Sequence, residues 1–238
     1  FNMSANNKEY KAFIIYIDGL AGSISINDFV LEPLMLRRKQ NNSIFQNNLA
    51  EYVDYCLLPQ TSVKKVTEFE KVLSSINSGN CLLFIDTLAI AFDIDVKNYK
   101  QRSINNPENE TIIKGPQEGF IENLRTNTSL LRRSVNNENL VIENIPVGNI
   151  SQTKCGVCYI QNIANGDLVA EVKYRLNNLS VDSILSTGQL EQLIQDDGDF
   201  GIPKIISTER PDKCAKYLLQ GRVVVLVNGN PYALIMPA

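Results

Sequence analysis

Residues 114–123 read KGPQEGFIEN, and within them Glu118 and Glu122 invite a chemical reading. Two carboxylates can divide general-acid and general-base work when they flank a substrate from opposite sides. Spaced i, i+4 they would instead share one face of a helix, about one turn apart, where like charges repel unless a cation such as Arg125 lies between them. The composition narrows the chemistry further, because the 238 residues contain no histidine. That removes Ser-His-Asp and Cys-His nucleophile pairs, imidazole proton shuttles and every histidine-containing zinc site. Cys155-Gly-Val-Cys158 has the spacing of a redox or half-zinc motif, yet TKCGVCYI reads as a strand, with no second such pair elsewhere. Gly19-Leu-Ala-Gly22 lacks the Lys-Ser/Thr of a phosphate-binding loop, and Asp196, Asp197 and Asp199 lack the spacing of a calcium loop. The sequence predicts a non-enzymatic chain that needs no cofactor and no metal.

The remaining polar candidates cluster in two places. Arg102, Glu110, Glu118, Glu122, Asn127, Arg132 and Arg133 lie in the middle of the chain, and Arg210 and Asp212 flank Pro211 near its end. Each set could line a ligand cleft or form ion pairs with another subunit, which are weak singly and stronger as a network. With 23 basic and 26 acidic residues the net charge is -3, without the basic excess of a nucleic-acid binder. Five cysteines, an odd number, suit a reducing compartment. No apolar run reaches the length that spans a bilayer. Phe1 and Asn2 precede Met3 and read as a cloning remnant on an excised domain.

Positioning these residues requires elements, and the chain states the same set twice at a spacing of about 142 residues. AFIIYIDG and KCGVCYIQ are strands, each followed by two helical stretches: INDFVLEPLMLRR and QNNLAEYVDYCLL, then GDLVAEVKYRLNNL and TGQLEQLIQ. SVKKV and PKIIS are short strands. Thr67-Glu-Phe-Glu70 predicts a capped helix with Phe69, Val72, Leu73 and Ile76 inward and Gly79 at its end. Thr208-Glu-Arg-Pro211 predicts its counterpart, with Cys214, Ala215, Leu218 and Leu219 inward and Gly221 as the stop. Hairpins follow, CLLFID and LAIAF around Asp86-Thr87, then RVVVLV and PYALIM around Asn228-Gly229. Between the copies, Gly115-Pro116 predicts the turn that opens a central helix, with Glu118 in its first turn and Phe120, Leu124 and Leu131 on one face.

The expected fold is α/β: two small, topologically similar subdomains with mixed sheets, residues 8–100 and 141–238, joined by a helical connector at residues 101–140.

Longer blocks carry a resemblance. Arg102, Pro107 and Glu110, then IIKGPQEGFIENL, Asn127 and LLRR, resemble the central block of spore germination receptor A subunits, the GerA family. TKCGVCYIQNIAN, VDSIL and STERPDKCAKYLLQGRVVVLVNGNPYALIMP resemble later blocks of that family. The similarity is strong over residues 65–238 and loose before them. Gln117, Cys155 and Ser134 depart from residues usual there. The resemblance implies the N-terminal soluble domain of a larger subunit, on the cytoplasmic (spore core) side of the inner spore membrane, with membrane helices following. It also implies B and C partner subunits, a possible homo-oligomer of A subunits, and a response to nutrients such as amino acids or sugars. The function expected is germinant sensing and signal coupling, the alternative being an assembly domain that binds no small molecule.

Overall fold

The computed structural model describes residues 1–5, 8–36, 48–57, 62–97, 107, 109–110, 114–195 and 204–238. Arg102 and the acidic run Asp196, Asp197 and Asp199 lie outside the described residues. The chain divides into two compact units, Phe1–Tyr99 and Lys100–Ala238.

The first unit begins with β1 (Asn2–Ala5) and β2 (Lys8–Ile15). Helix α1 (Ser23–Ile26) passes through a π-wound turn, Asn27–Leu31, into α2 (Glu32–Leu36), and α3 (Leu49–Leu57) follows. Then come β3 (Val63–Val66), α4 (Phe69–Asn77), β4 (Cys81–Ile85) and β5 (Ala91–Ile94). The second unit opens with α5 (Leu124–Val135), then β6 (Leu140–Val147), β7 (Thr153–Ile160), α6 (Gly166–Asn177) and α7 (Thr187–Ile194). It closes with β8 (Ile206–Thr208), α8 (Pro211–Leu218), β9 (Val223–Val227) and β10 (Ala233–Met236).

The two sheets have the same topology, β1-β2-β4-β5-β3 and β6-β7-β9-β10-β8. Their registers agree residue by residue: Phe13 lies opposite Phe84 as Gly156 lies opposite Leu226, and Ala12 opposite Ile85 as Cys155 opposite Val227. The repeat read from the sequence is therefore structural. Both sheets are antiparallel throughout, where mixed sheets were expected. The physical reason is that each crossover contains two helical stretches, an edge strand and another helix, so the chain re-enters beside its first long strand running the other way. The edge strands β1 and β6 also went unread. Pro146 within LVIENIPV argues against a central strand, and β6 tolerates it by being an edge.

Helices cover both faces of the second sheet. Val169, Val172 and Leu176 of α6 and Leu190 and Ile194 of α7 pack on one face, against Val157, Val223, Val225, Val227 and Leu234. Leu124, Leu130 and Leu131 of α5, with Cys214, Ala215 and Leu218 of α8, pack on the other, against Cys158, Ile160, Val224, Leu226 and Ile235. Strand β9 is consequently VVVLV, apolar at every position and buried at every position. Helix α5, expected in a connector, packs against α8 and the strands of the second sheet and so belongs to the second unit.

In the first unit the α1–α3 side is sealed by Val30, Leu34, Val53 and Cys56 on Ala12, Leu83, Ile85, Phe92 and Ile94. On the other side α4 lays Val72 against Val66, Leu82 and Ala91. Phe69, expected inward, is 73% exposed. Nor does Thr67 cap α4: the N-cap position falls on Glu68, without a side-chain hydrogen bond.

The helix stops Gly79 and Gly221 have φ of +88° and +85°. A Cβ on Gly221 would stand 2.9 Å from the Ile163 carbonyl oxygen, and one on Gly79 3.3 Å from Leu20. Both glycines thus combine a left-handed backbone with a close approach to the segment after the long strand.

Candidate functional site

The segment before α5 is extended rather than helical. Asn123 is the N-cap, its side chain accepting a hydrogen bond from Thr126 N at 3.0 Å, so the helix starts eight residues later than Pro116. Asn127, fully buried, then accepts from Ile121 N at 2.8 Å and donates to Ile121 O at 2.5 Å. These two bonds satisfy an extended residue that would otherwise be drawn into the helix. Gly115, with φ of +150°, precedes Pro116. Phe120 N donates to Glu209 O at 2.7 Å, fastening the segment to the start of α8. At the other end Gly229 N donates to Glu122 O at 2.7 Å, and Asn228 Oδ1 accepts from Leu124 N at 3.3 Å. Glu118 and Glu122 therefore do not share a helical face, which corrects the expectation for KGPQEGFIEN.

Pinned in this way, the segment forms one wall of a cavity of about 350 Å³, lined by Pro116, Glu118, Arg133, Ser134, Pro211 and Asp212. Arg133 Nη2 donates to Glu118 Oε2 across it. Arg210 makes a two-pronged pair with Asp212, Nε to Oδ1 at 3.1 Å and Nη2 to Oδ2 at 2.5 Å. Asp212 holds the Arg210 guanidinium above its usual pKa.

Beside these lies a third carboxylate. Glu110 accepts from Lys213 Nζ at 2.8 Å and from the Thr208 hydroxyl. Burial alone would raise its pKa, but those hydrogen bonds and the lysine charge outweigh burial and hold it below the ordinary value. The neighbouring Glu209, 5% exposed, accepts from Asn109 Nδ2 at 2.6 Å, and the same amide donates to the Tyr232 hydroxyl at 2.7 Å.

Of the residues singled out from the sequence, Glu118, Arg133 and Asp212 line the cavity. Arg210 and Glu110 belong to its ion-paired surround, Arg210 through Asp212 and Glu110 through Lys213. Asn127 is a buried brace. Arg132 turns inward, donating to Leu140 O at 3.3 Å, and burial lowers its pKa. Glu122 enters the local network through its carbonyl. Pro116 was read only as a turn residue, and Ser134, Pro211, Thr208 and Lys213 were missed as site residues, although Pro211, Thr208 and Lys213 sit in the same STERPDK string that supplied Arg210 and Asp212.

The arrangement lines one opening with the cation Arg133 and the anions Glu118 and Asp212, Asp212 being paired in turn with Arg210, which suits a ligand or partner carrying both signs of charge. Nucleophilic chemistry finds no support in the cysteines. Cys155 and Cys158 lie on opposite faces of the second sheet, and burial pushes each thiol up to about 12. Among the described residues no cluster of three or more metal-binding side chains occurs, and no helix is long and apolar enough to cross a membrane.

Comparison with known proteins agrees with this architecture. The whole chain, residues 1–238, matches the family described as Bacillus/Clostridium GerA spore germination protein. It is 36% identical over 225 residues to spore germination protein KA of Bacillus subtilis, covering 94% of this chain and 41% of that protein. It is also 36% identical over 238 residues to spore germination protein B1 of the same organism, covering 100% of this chain and 48% of that protein. The chain thus spans under half the length of these relatives. The crystal structure of the N-terminal domain of the A subunit of the Bacillus megaterium spore germinant receptor GerK3 superposes with a TM-score of 0.75 at 32% identity, covering 100% of this chain and 86% of that one. A matched family over every residue and a shared two-unit fold make this chain a member of the GerA family, the N-terminal domain of a spore germination receptor A subunit.

Proposed function

We propose that the domain is a non-enzymatic sensing and coupling module of its receptor, responding to a nutrient germinant and passing the change to the adjoining membrane region. The observation that carries this reading is the cavity on the second unit, where Glu118, Arg133 and Asp212 converge beside the Arg210 and Glu110 pairs. An amino acid fits that charge pattern, its carboxylate toward Arg133 and its ammonium toward Glu118 or Asp212. A sugar could use the same groups as hydrogen-bond partners. In the full-length subunit the domain would stand on the core side of the inner spore membrane, beside B and C subunits and other A subunits.

Both ion pairs at the opening are already closed within the chain, and this favours a second reading. An assembly surface can exchange such pairs for pairs with a neighbouring subunit, with no small molecule involved.

Thermal unfolding across amino acids and sugars separates the two. A ligand at 100 times its Kd stabilises the folded form by about 2.7 kcal/mol. Stabilisation by one amino acid or sugar that vanishes in Arg133→Ser supports sensing at this cavity. A flat response at millimolar concentration, with Arg133→Glu abolishing subunit association while leaving the domain folded, supports assembly instead.

A further inference from the structure

The two units differ in one respect that the repeat makes measurable. On the second sheet α5 lies across β7 and β9, beside α8. On the first sheet α4 takes the place of α8, and among the described residues nothing takes the place of α5. The strand positions beneath are apolar and open: Phe13 is 56% exposed and Ile15 41%, and Phe13 stacks on Phe84 with ring centroids 4.9 Å apart. Phe69, at the repeat position of the buried Pro211, is likewise exposed. Exposed aromatics grouped on one sheet face mark a covered surface rather than a solvated one.

The edge strand tells the same story. Phe1, expected to belong to a cloning remnant, lies within the family match and exchanges hydrogen bonds with Ala12, which makes it the counterpart of Ile145 opposite Cys155. In the second unit β6 continues back from Ile145 to Leu140, pairing Asn144 with Gly156 and Ile142 with Cys158. The corresponding partners of Phe13 and Ile15 would precede Phe1. So would the helix, since α5 lies about 10 to 21 residues before Ile145.

We propose that the open face formed by Phe13, Ile15 and Phe84 seats an amphipathic helix belonging to the same polypeptide, about 10 to 21 residues upstream of Phe1, in the place that α5 takes on the second sheet. The occupant has a defined chemistry. It is about three turns long, apolar toward the sheet, and joined to β1 by a short link and an extension of that strand. Its first turn differs from that of α5. Leu124 fits because Gly156 beneath it has no side chain, a Cβ there standing 3.3 Å from Leu124 Cδ1, whereas Phe13 fills the equivalent place. A residue smaller than leucine is therefore required opposite Phe13.

The test compares the 238-residue chain with a form extended upstream of Phe1 through the proposed helix. The extended form is expected to bind less of the hydrophobic dye ANS, to protect the amides of β2 from hydrogen exchange, and to melt roughly 5 °C higher or more. Phe13→Asp should cancel these gains in the extended form, yet barely change the 238-residue chain, where that side chain is exposed. Ile150→Asp, on an exposed loop of the second unit, should leave the difference between the two forms intact. Equal dye binding and equal melting in both forms would overturn the proposal. It would fall also if the 238-residue chain dimerises through this face, dissociating on Phe13→Asp, or if Phe13→Asp destabilises both forms alike.

Discussion

Asn127 both accepts from and donates to the backbone of Ile121, so its amide sets the path of the segment that carries Glu118. Asn127→Ala would strand both groups in a buried setting and leave a small void. A loss of about 2 to 4 kcal/mol is expected, measured by urea denaturation of the second unit. Sequence reading placed Asn127 in the central polar set that could line a cleft or meet a subunit, and only the fold shows it facing inward. Glu110 gives a pH prediction. Its folded pKa lies below its unfolded value, so the stability it contributes is full above the unfolded value, near 4.5, and is lost as pH falls through the folded one. Wild-type stability should therefore drop more steeply below about pH 4.5 than that of Glu110→Gln, followed by thermal melts across acidic buffers. The thiols make a third case. Burial pushes those of Cys81, Cys155 and Cys158 up to about 12, so DTNB at pH 8 should label them only on unfolding, and rapid labelling of the native chain would contradict their burial.

Helix boundaries were the least legible feature. KGPQEGFIEN has a glycine-proline start and apolar spacing that continues into α5, so the pattern alone extends the helix back to Pro116. What moves the start to Leu124 is the pair Asn123 and Asn127, one capping and one holding the preceding residue extended. Asn123→Ala should cost about 1 kcal/mol and lower the helical signal slightly. Turn residues were more legible, since a positive φ after a helix favours glycine, as at Gly79 and Gly221, although Asn136 takes φ of +21° after α5. Their energies still depend on surroundings. Gly221→Ala meets both a strained backbone and the Ile163 carbonyl, whereas Gly229→Ala at φ of +87° meets open space. The first should be the more destabilising, by about 1 kcal/mol or more in chemical denaturation.

Each unit has its own sheet and its own buried clusters, Val30, Leu83 and Phe92 among the first and Val157, Leu190 and Val225 among the second. Leu83→Ala should therefore lower the unfolding transition of the first unit, by about 2 to 5 kcal/mol, and leave hydrogen exchange in β7 and β9 near wild type. Equal loss of protection in both units would show a single cooperative core instead. By itself the sequence determined the duplication, the two hairpins, the helix stops and the family, because these rest on local periodicity, on glycine's conformational freedom and on ordered blocks of identity. Strand direction, the inward turn of Arg132, the adoption of α5 by the second sheet and the meeting of Glu118 with Arg133 and Asp212 were decided only by tertiary structure. Those depend on which residues distant in the chain come to lie side by side, and neither the spacing of apolar residues nor the identity of turn residues carries that information.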